Sequence, residues 1–256
     1  MRQSALTREQ ITDLHNKAQI LGALTETTFD AYNNNSTCYL LIADFIKSII
    51  WYIPDNVNRL HFGNSTEIPW IPDEEKYADY TLYLVGGRGV KIIRDLFSYR
   101  YIHCVDLTYF EPLNLVSTNR MFAGSNIDYI IFGELNTRNI VEMTEMFMGA
   151  CIKELDLSSF DTSNVVEMYS MFQGFETENP LILKNFNTYK VYNFSEMFYK
   201  SRIPVLDISS FRSTNMKSIF NMFQNIETQK IIIPKRNFFT KNILGLNNHN
   251  IKVIEA

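Results

Sequence analysis

Cysteine is nearly missing from this 256-residue chain, which holds only Cys38, Cys104 and Cys151. They form no C-x-x-C and no disulfide-framework spacing, and an odd, sparse set reads as a chain kept in a reducing compartment. Glycine and proline are scarce too, at 10 and 7 residues, which argues against long disordered linkers. No apolar run is long enough to span a bilayer. The best, "CYLLIADFIKSIIWYI" (residues 38–53), carries Asp44 and Lys47 and reads as a buried helix stopping at Pro54. The start, "MRQSALTREQ", has no apolar stretch, so no secretory signal is read there and the expected compartment is the cytosol. A net charge of −4 argues against generic attraction to nucleic acid or anionic membrane.

Catalytic signatures are missing as well. His15, His61, His103 and His249 are scattered, with no H-E-x-x-H, no paired metal spacing and no G-x-S-x-G elbow. His103 and Cys104 are neighbours, but adjacent strand residues point to opposite faces and make a poor base–nucleophile pair. The expectation is a protein that is not an enzyme and needs no metal or cofactor. An enzyme site built between an N-terminal cap and the repeats that follow it has no residue set to support it.

What the chain has is repetition. A Met-Phe pair recurs at Met121-Phe122, Met146-Phe147, Met171-Phe172, Met197-Phe198 and Met222-Phe223, in steps of 25, 25, 26 and 25, with Leu96-Phe97 one step upstream. Apolar triplets keep the same phase: Val105-Asp106-Leu107, Ile130-Ile131-Phe132, Leu155-Asp156-Leu157, Leu181-Ile182-Leu183, Leu206-Asp207-Ile208 and Ile231-Ile232-Ile233. So do Phe110, Leu135, Phe160, Phe186 and Phe211. The columns share a single insertion, so the chain is a tandem repeat.

Each triplet reads as a short strand. Asn139 and Asn164, three residues before Glu142 and Glu167, read as capping boxes opening short helices. The Met-Phe pairs then sit on the buried helix face, and Gly124, Gly149 and Gly174 read as C-caps. One such unit cannot bury its apolar side alone, but stacked units can, which lines the phenylalanines from Phe97 to Phe223 into one column.

"LDLSSFDTSNVVEMYSMFQG" (residues 155–174) resembles the repeat of the BspA-like leucine-rich-repeat family of bacterial surface proteins, over about residues 80 to 236. The resemblance implies an α/β leucine-rich-repeat-like solenoid of strand, turn and short helix, used for protein binding. The expected organisation is an N-terminal helical cap at 1–56, irregular first repeats at 57–104, a solenoid at 105–236 and a C-terminal cap at 237–256. In the cap, Thr7 and Gln10 form a capping box for a helix with Ile11, Leu14, Ala18 and Leu21 on one face. Leu60-His61-Phe62 and Leu82-Tyr83-Leu84 are candidate strands, and "IKVIEA" a last one.

Two surfaces are candidate sites. The middle residue of each triplet should face solvent, giving a column Asp106, Ile131, Asp156, Ile182, Asp207 and Ile232. Beside it lie Cys104, Tyr129, Glu154, Pro180, Val205 and Lys230. Three outward isoleucines between carboxylates, with Tyr129 and Glu154 alongside, read as a partner-binding strand face. The expected role is a cytosolic, non-catalytic inhibitor or adaptor docking on a host protein, for example a mobile-element antagonist of a host nuclease or defence enzyme. The second surface is the turn Gly86-Gly87-Arg88-Gly89, which with Lys91 and Arg94 imitates the GxxG clamp of an RNA-binding module. Read structurally, it is a tight turn from the Leu82 strand into a helix ending at Phe97. RNA binding through that turn, and a surface adhesin like secreted members of the resembling family, are the alternative functions.

Overall fold

The computed structural model describes residues 38–43, 48–53, 59–61, 81–86, 90–235 and 251–256. Within them the 25-residue unit is one turn of a parallel β-solenoid, and consecutive turns pair edge to edge. Each turn contributes to three walls. The first is a ladder of single bridges, Ile92↔Ser117↔Glu142↔Glu167↔Asn193↔Ser218, about six turns long. The second runs through Asn126, Cys151, Glu176, Arg202 and Glu227. The third is made by the triplets.

Strands β6 (Tyr101–Phe110), β7 (Asn126–Ile131) and β8 (Cys151–Glu154) cover the second and third walls of the early turns. Strands β9 (Leu181–Ile182), β10 (Val205–Asp207), β11 (Lys230–Ile233) and β12 (Lys252–Glu255) continue the third wall. Ahead of the repeats lie β1 (Cys38–Ala43), β2 (Ser48–Ile53), β3 (Arg59–His61), β4 (Thr81–Gly86) and β5 (Ile92–Arg94). One sheet runs β2-β1-β4-β6-β7-β8, a second β12-β11-β10-β9, and β3 pairs with β5. The strands expected around Leu60, around Leu82 and in "IKVIEA" are all present, the last pairing Ile231 with Val253.

The expected short helices are absent from the described residues. The Met-Phe segments are tight turns instead, for a reason written in the backbone. Each turn has two residues in the left-handed region four positions apart: Asp95 and Tyr99, Arg120 and Gly124, Glu145 and Gly149, Ser170 and Gly174, Glu196 and Lys200, Asn221 and Asn225. Such residues end a right-handed helix. Between them the amides bond to the neighbouring turn: Phe122 N–H to Met146 C=O at 2.9 Å, Phe147 to Met171 at 2.9 Å, Phe172 to Met197 at 2.9 Å. An amide committed to the next rung cannot serve an i→i−4 ladder. Gly124, Gly149 and Gly174 therefore close turns rather than helices.

The capping boxes fail with the helices. Asn164 Nδ2 donates to the Arg138 carbonyl one rung back at 2.9 Å, and Asn139 Nδ2 to that of Leu113 at 3.3 Å. Glu142 and Glu167 belong to the first wall. The helix expected over Cys38–Ile53 is also corrected. It is an antiparallel hairpin of β1 and β2, and β1 pairs antiparallel with β4. Its β-branched and aromatic residues favour strands, and periodicity alone does not separate a short apolar run from a buried helix. Gly86 ends β4, and the segment into Phe97 carries β5, not a helix. The helix expected at Thr7–Leu21 lies outside the described residues, as do Gly87, Arg88 and Gly89.

The core is a set of stacked columns. Phe97, Phe122, Phe147, Phe172, Phe198 and Phe223 pile up with centroids 5.4, 5.4, 5.3, 5.6 and 5.7 Å apart and planes within 12° of parallel. Those separations exceed the strand spacing of about 4.8 Å, so the rings are slipped in the offset arrangement aromatic pairs prefer. Phe110, Leu135, Phe160, Phe186 and Phe211 form a second buried column.

Polar columns tie the turns together. Thr162 Oγ1 accepts from Asn187 N–H at 2.8 Å and donates to Asn187 C=O at 3.2 Å; Thr137 and Thr188 do the same to Asp161 and Arg212. Arg120 bridges Asp95 at 2.6 Å and Glu145 at 2.8 Å, one rung to either side.

Candidate partner-binding face

The third wall turns its triplet ends inward and its middle residues outward, as strand alternation requires. Leu181, Leu183, Leu206, Ile208, Ile231 and Ile233 are buried. Ile182 is 39% exposed, Asp156 is exposed, and Ile131, Asp207 and Ile232 are half-buried. Pairing places Asp207 beside Ile182 and Ile232, with Ile254 of β12 beyond. Tyr129 pairs with Glu154, and Val205 with Lys230.

Asp106 departs from the expectation. It is fully buried on β6, where Cys104 is buried too, so neither lies on the exposed surface of the wall. Its Oδ1 accepts from Thr108 N–H at 2.8 Å, while Oδ2 is buried without a hydrogen-bond partner among the described residues. Asp156 and Asp207 make the same local bond, to Ser158 N–H at 2.9 Å and Ser209 N–H at 3.0 Å. These aspartates are thus turn-formers at the strand end, which is why they recur in the triplet.

The wall is broken once. In other turns three residues separate the second-wall residue from the triplet start, as between Cys151 and Leu155; between Glu176 and Leu181 there are four. The extra residue falls within Thr177–Pro180, where β8 and β9 fail to pair and the two larger sheets part. Pro180 has no N–H to offer a ladder. Asn179 Nδ2 instead donates to the Lys153 carbonyl at 2.7 Å.

Beside this break is a polar cluster that the sequence alone did not single out. His103 Nδ1 lies 2.8 Å from Asp128 Oδ2, Asp128 Oδ1 pairs with Lys153, and Tyr129 Oη is 2.7 Å from His103 Nε2. His103, Asp128 and Lys153 are one column at a step of 25, a signal open to anyone reading the repeat by its outward positions. Burial pushes the Asp128 carboxyl up, but hydrogen bonds from Lys153 and His103 outweigh it and hold the group below the usual aspartate range.

The Asp–His–Tyr order imitates a catalytic relay, but its geometry and electrostatics do not fit one. Tyr129 Oη is also 3.4 Å from His103 Nδ1, so it lies beside the ring rather than on the Nε2 axis. Burial, and then Asp128, push the phenol up, away from an ionised nucleophile. Burial and Glu176 likewise push up the exposed Cys151 thiol. Among the described residues no group of three His, Cys, Asp or Glu could hold a metal ion, and no helix is long and apolar enough to cross a membrane.

Residues 94–235, with every Met-Phe turn and triplet from the Val105 unit to Ile233, match the family model described as "Mycoplasma protein of unknown function, DUF285". The chain belongs to the DUF285 family. No curated protein and no solved structure matches it. The DUF285 match covers the stretch folded as solenoid, and a repeat solenoid points to a protein-binding scaffold.

Proposed function

We propose that this protein is a non-catalytic scaffold that captures a protein partner on its third wall. The observation that carries the reading is the contrast between columns. Inward positions repeat Leu, Ile and Phe, whereas outward positions change from rung to rung and leave Ile182 exposed between Ile131 and Ile232. Apolar side chains set between carboxylates and beside a tyrosine form the kind of surface a partner desolvates. The resemblance of residues 155–174 to BspA-like repeats supports the same use. The finer role we propose for the protein is that of a cytosolic inhibitor or adaptor acting on a host protein.

Replacing Ile131 and Ile182 with Glu tests the reading. These outward substitutions leave the core untouched, so the variant keeps its unfolding free energy to within about 0.5 kcal/mol, the range of surface changes. Affinity capture from the native host should then lose the partner, and capture equal to that of the parent chain would refute the reading.

A further inference from the structure

We propose that the first wall binds a single-stranded nucleic acid where it crosses the rungs of Phe198 and Phe223. The surface is separate from the third wall, and the inference goes beyond the partner proposed there. One strip of the chain, including its first-wall bridge residue, can be followed through five rungs: residues 111–119, 136–144, 161–169, 187–195 and 212–220. In the first three it holds Glu111, Glu142, Asp161 and Glu167 against Arg138 alone, and Tyr169 is its one aromatic. In the last two it holds Lys190, Arg212 and Lys217 with no acid, and Tyr189, Tyr192, Phe194 and Phe220 enter with them. The joint arrival of positive charge and rings carries the inference, because phosphates call for the one and unpaired bases for the other.

Phe194 is buried, but the other three rings reach the surface. Tyr189, 55% exposed, lies in the turn before the first wall, and Phe220, 68% exposed, in the turn after it. Half-buried Tyr192 lies on the wall between them, with Lys217 Nζ 5.5 Å from its ring centre. Lys217 N–H donates to the Tyr192 carbonyl at 2.7 Å and Thr214 N–H to that of Tyr189 at 3.4 Å, so the two rungs present one surface. Lys190, Arg212 and Lys217 are exposed and make no ion pair among the described residues, whereas Arg120, Lys153 and Arg202 are all paired. Acids bound the patch: Asp161 and Glu167 on the preceding rung, the latter bonded to the Tyr192 hydroxyl, and Glu196, whose N–H donates to the Phe220 carbonyl at 2.8 Å. This stretch of wall offers no helix or ribbon to enter a duplex groove, so it suits a single strand. Phe220 alone of the outward rings is wholly apolar, which suits bases better than a lipid surface.

The test is fluorescence anisotropy of a labelled oligo(dT) of about 15 nucleotides, titrated with the full chain at about 0.05 M salt. Binding should weaken with salt at a log–log slope of about −2, for three phosphate contacts at about 0.7 each. Arg212→Glu with Lys217→Glu should weaken it about tenfold or more. Tyr189→Ala or Phe220→Ala should each weaken it about fivefold or more through lost stacking, while Tyr189→Phe keeps the ring and should bind like the parent. Ile182→Glu, on the third wall, should also bind like the parent. No anisotropy change at low salt would overturn the proposal. Losses on charge reversal with none on ring removal would overturn it too, leaving unselective attraction of any polyanion such as heparin. Tighter binding to vesicles of anionic lipid than to the oligonucleotide would make the patch a membrane contact instead.

Discussion

Phe172 sits between Phe147 and Phe198 in the ring column and is fully buried. Truncating it to Ala removes its burial and one ring from a continuous stack, for an expected loss of about 3–5 kcal/mol, read from denaturant unfolding. The glycines divide in a more specific way. A Cβ on Gly124 would lie 2.4 Å from the Tyr99 ring, whereas one on Gly174 would come no closer than 3.7 Å to Gly149. Both have positive φ, so Gly174→Ala bears conformational strain alone, and Gly124→Ala bears strain and a clash. The Gly124 variant should be the less stable by thermal unfolding, and equal losses would contradict the contact. Asp128 sets a pH dependence. Its folded carboxyl titrates below the ordinary aspartate range, so its contribution is complete above the unfolded value and fades as pH falls through the folded one. Asp128→Asn should destabilise the protein at neutral pH, with the difference vanishing in acid. At this scale the apolar columns were readable because period and chemistry agree. Asp106 was not: alternation predicts an outward side chain, but its burial depends on what lies over β6.

At the scale of elements, the strands were legible and the connections were not. Asn164, Glu167 and the Met-Phe face satisfy every local rule for a short helix, yet those rules do not include a neighbour one rung away. Stacking gives alternate amides in the turn a partner one rung away, such as Phe122 to Met146 at 2.9 Å, the amides between them close i→i−3 bonds such as Met121 to Thr118 at 3.2 Å, and the helix loses the competition. Cys38–Ile53 failed for another reason: an apolar run rich in Ile and aromatics carries no period that tells hairpin from helix. The insertion was visible as the lone 26-residue step, but its consequence, a wall cut between β8 and β9, needed the register. Deleting Asn179 while replacing Pro180 with Val restores a 25-residue turn with an N–H at each position. Hydrogen exchange should then slow at residues 154–156 and 181–183, and unchanged exchange would mean that something other than the extra residue parts the sheets.

Residues 90–235 are a pile of near-identical rungs, and the proposed function inherits that geometry. A side chain repeated in sequence becomes a column in space, so an outward wall is specified by about every twenty-fifth residue. This is why the strand face could be listed from sequence, while the His103–Asp128–Lys153 column, which obeys the same rule with unlike residues, escaped notice. Because stability resides in contacts between adjacent turns, damage to a central rung such as Phe172 should weaken the stack on both sides.

Rung register is open to one direct measurement, disulfide trapping on the first wall. Val166 N–H bonds to the Val141 carbonyl at 2.9 Å, placing these residues one rung apart. A rung of about 4.8 Å lies within the Cα separation of roughly 4.4–6.8 Å that a disulfide spans, and two rungs do not. Cysteines at Val141 and Val166 should therefore link on mild oxidation of the folded protein, identified by mass spectrometry of the joined peptides, while cysteines at Val141 and Tyr192 should stay reduced. Efficient linking of the second pair, or failure of the first, would contradict the stack.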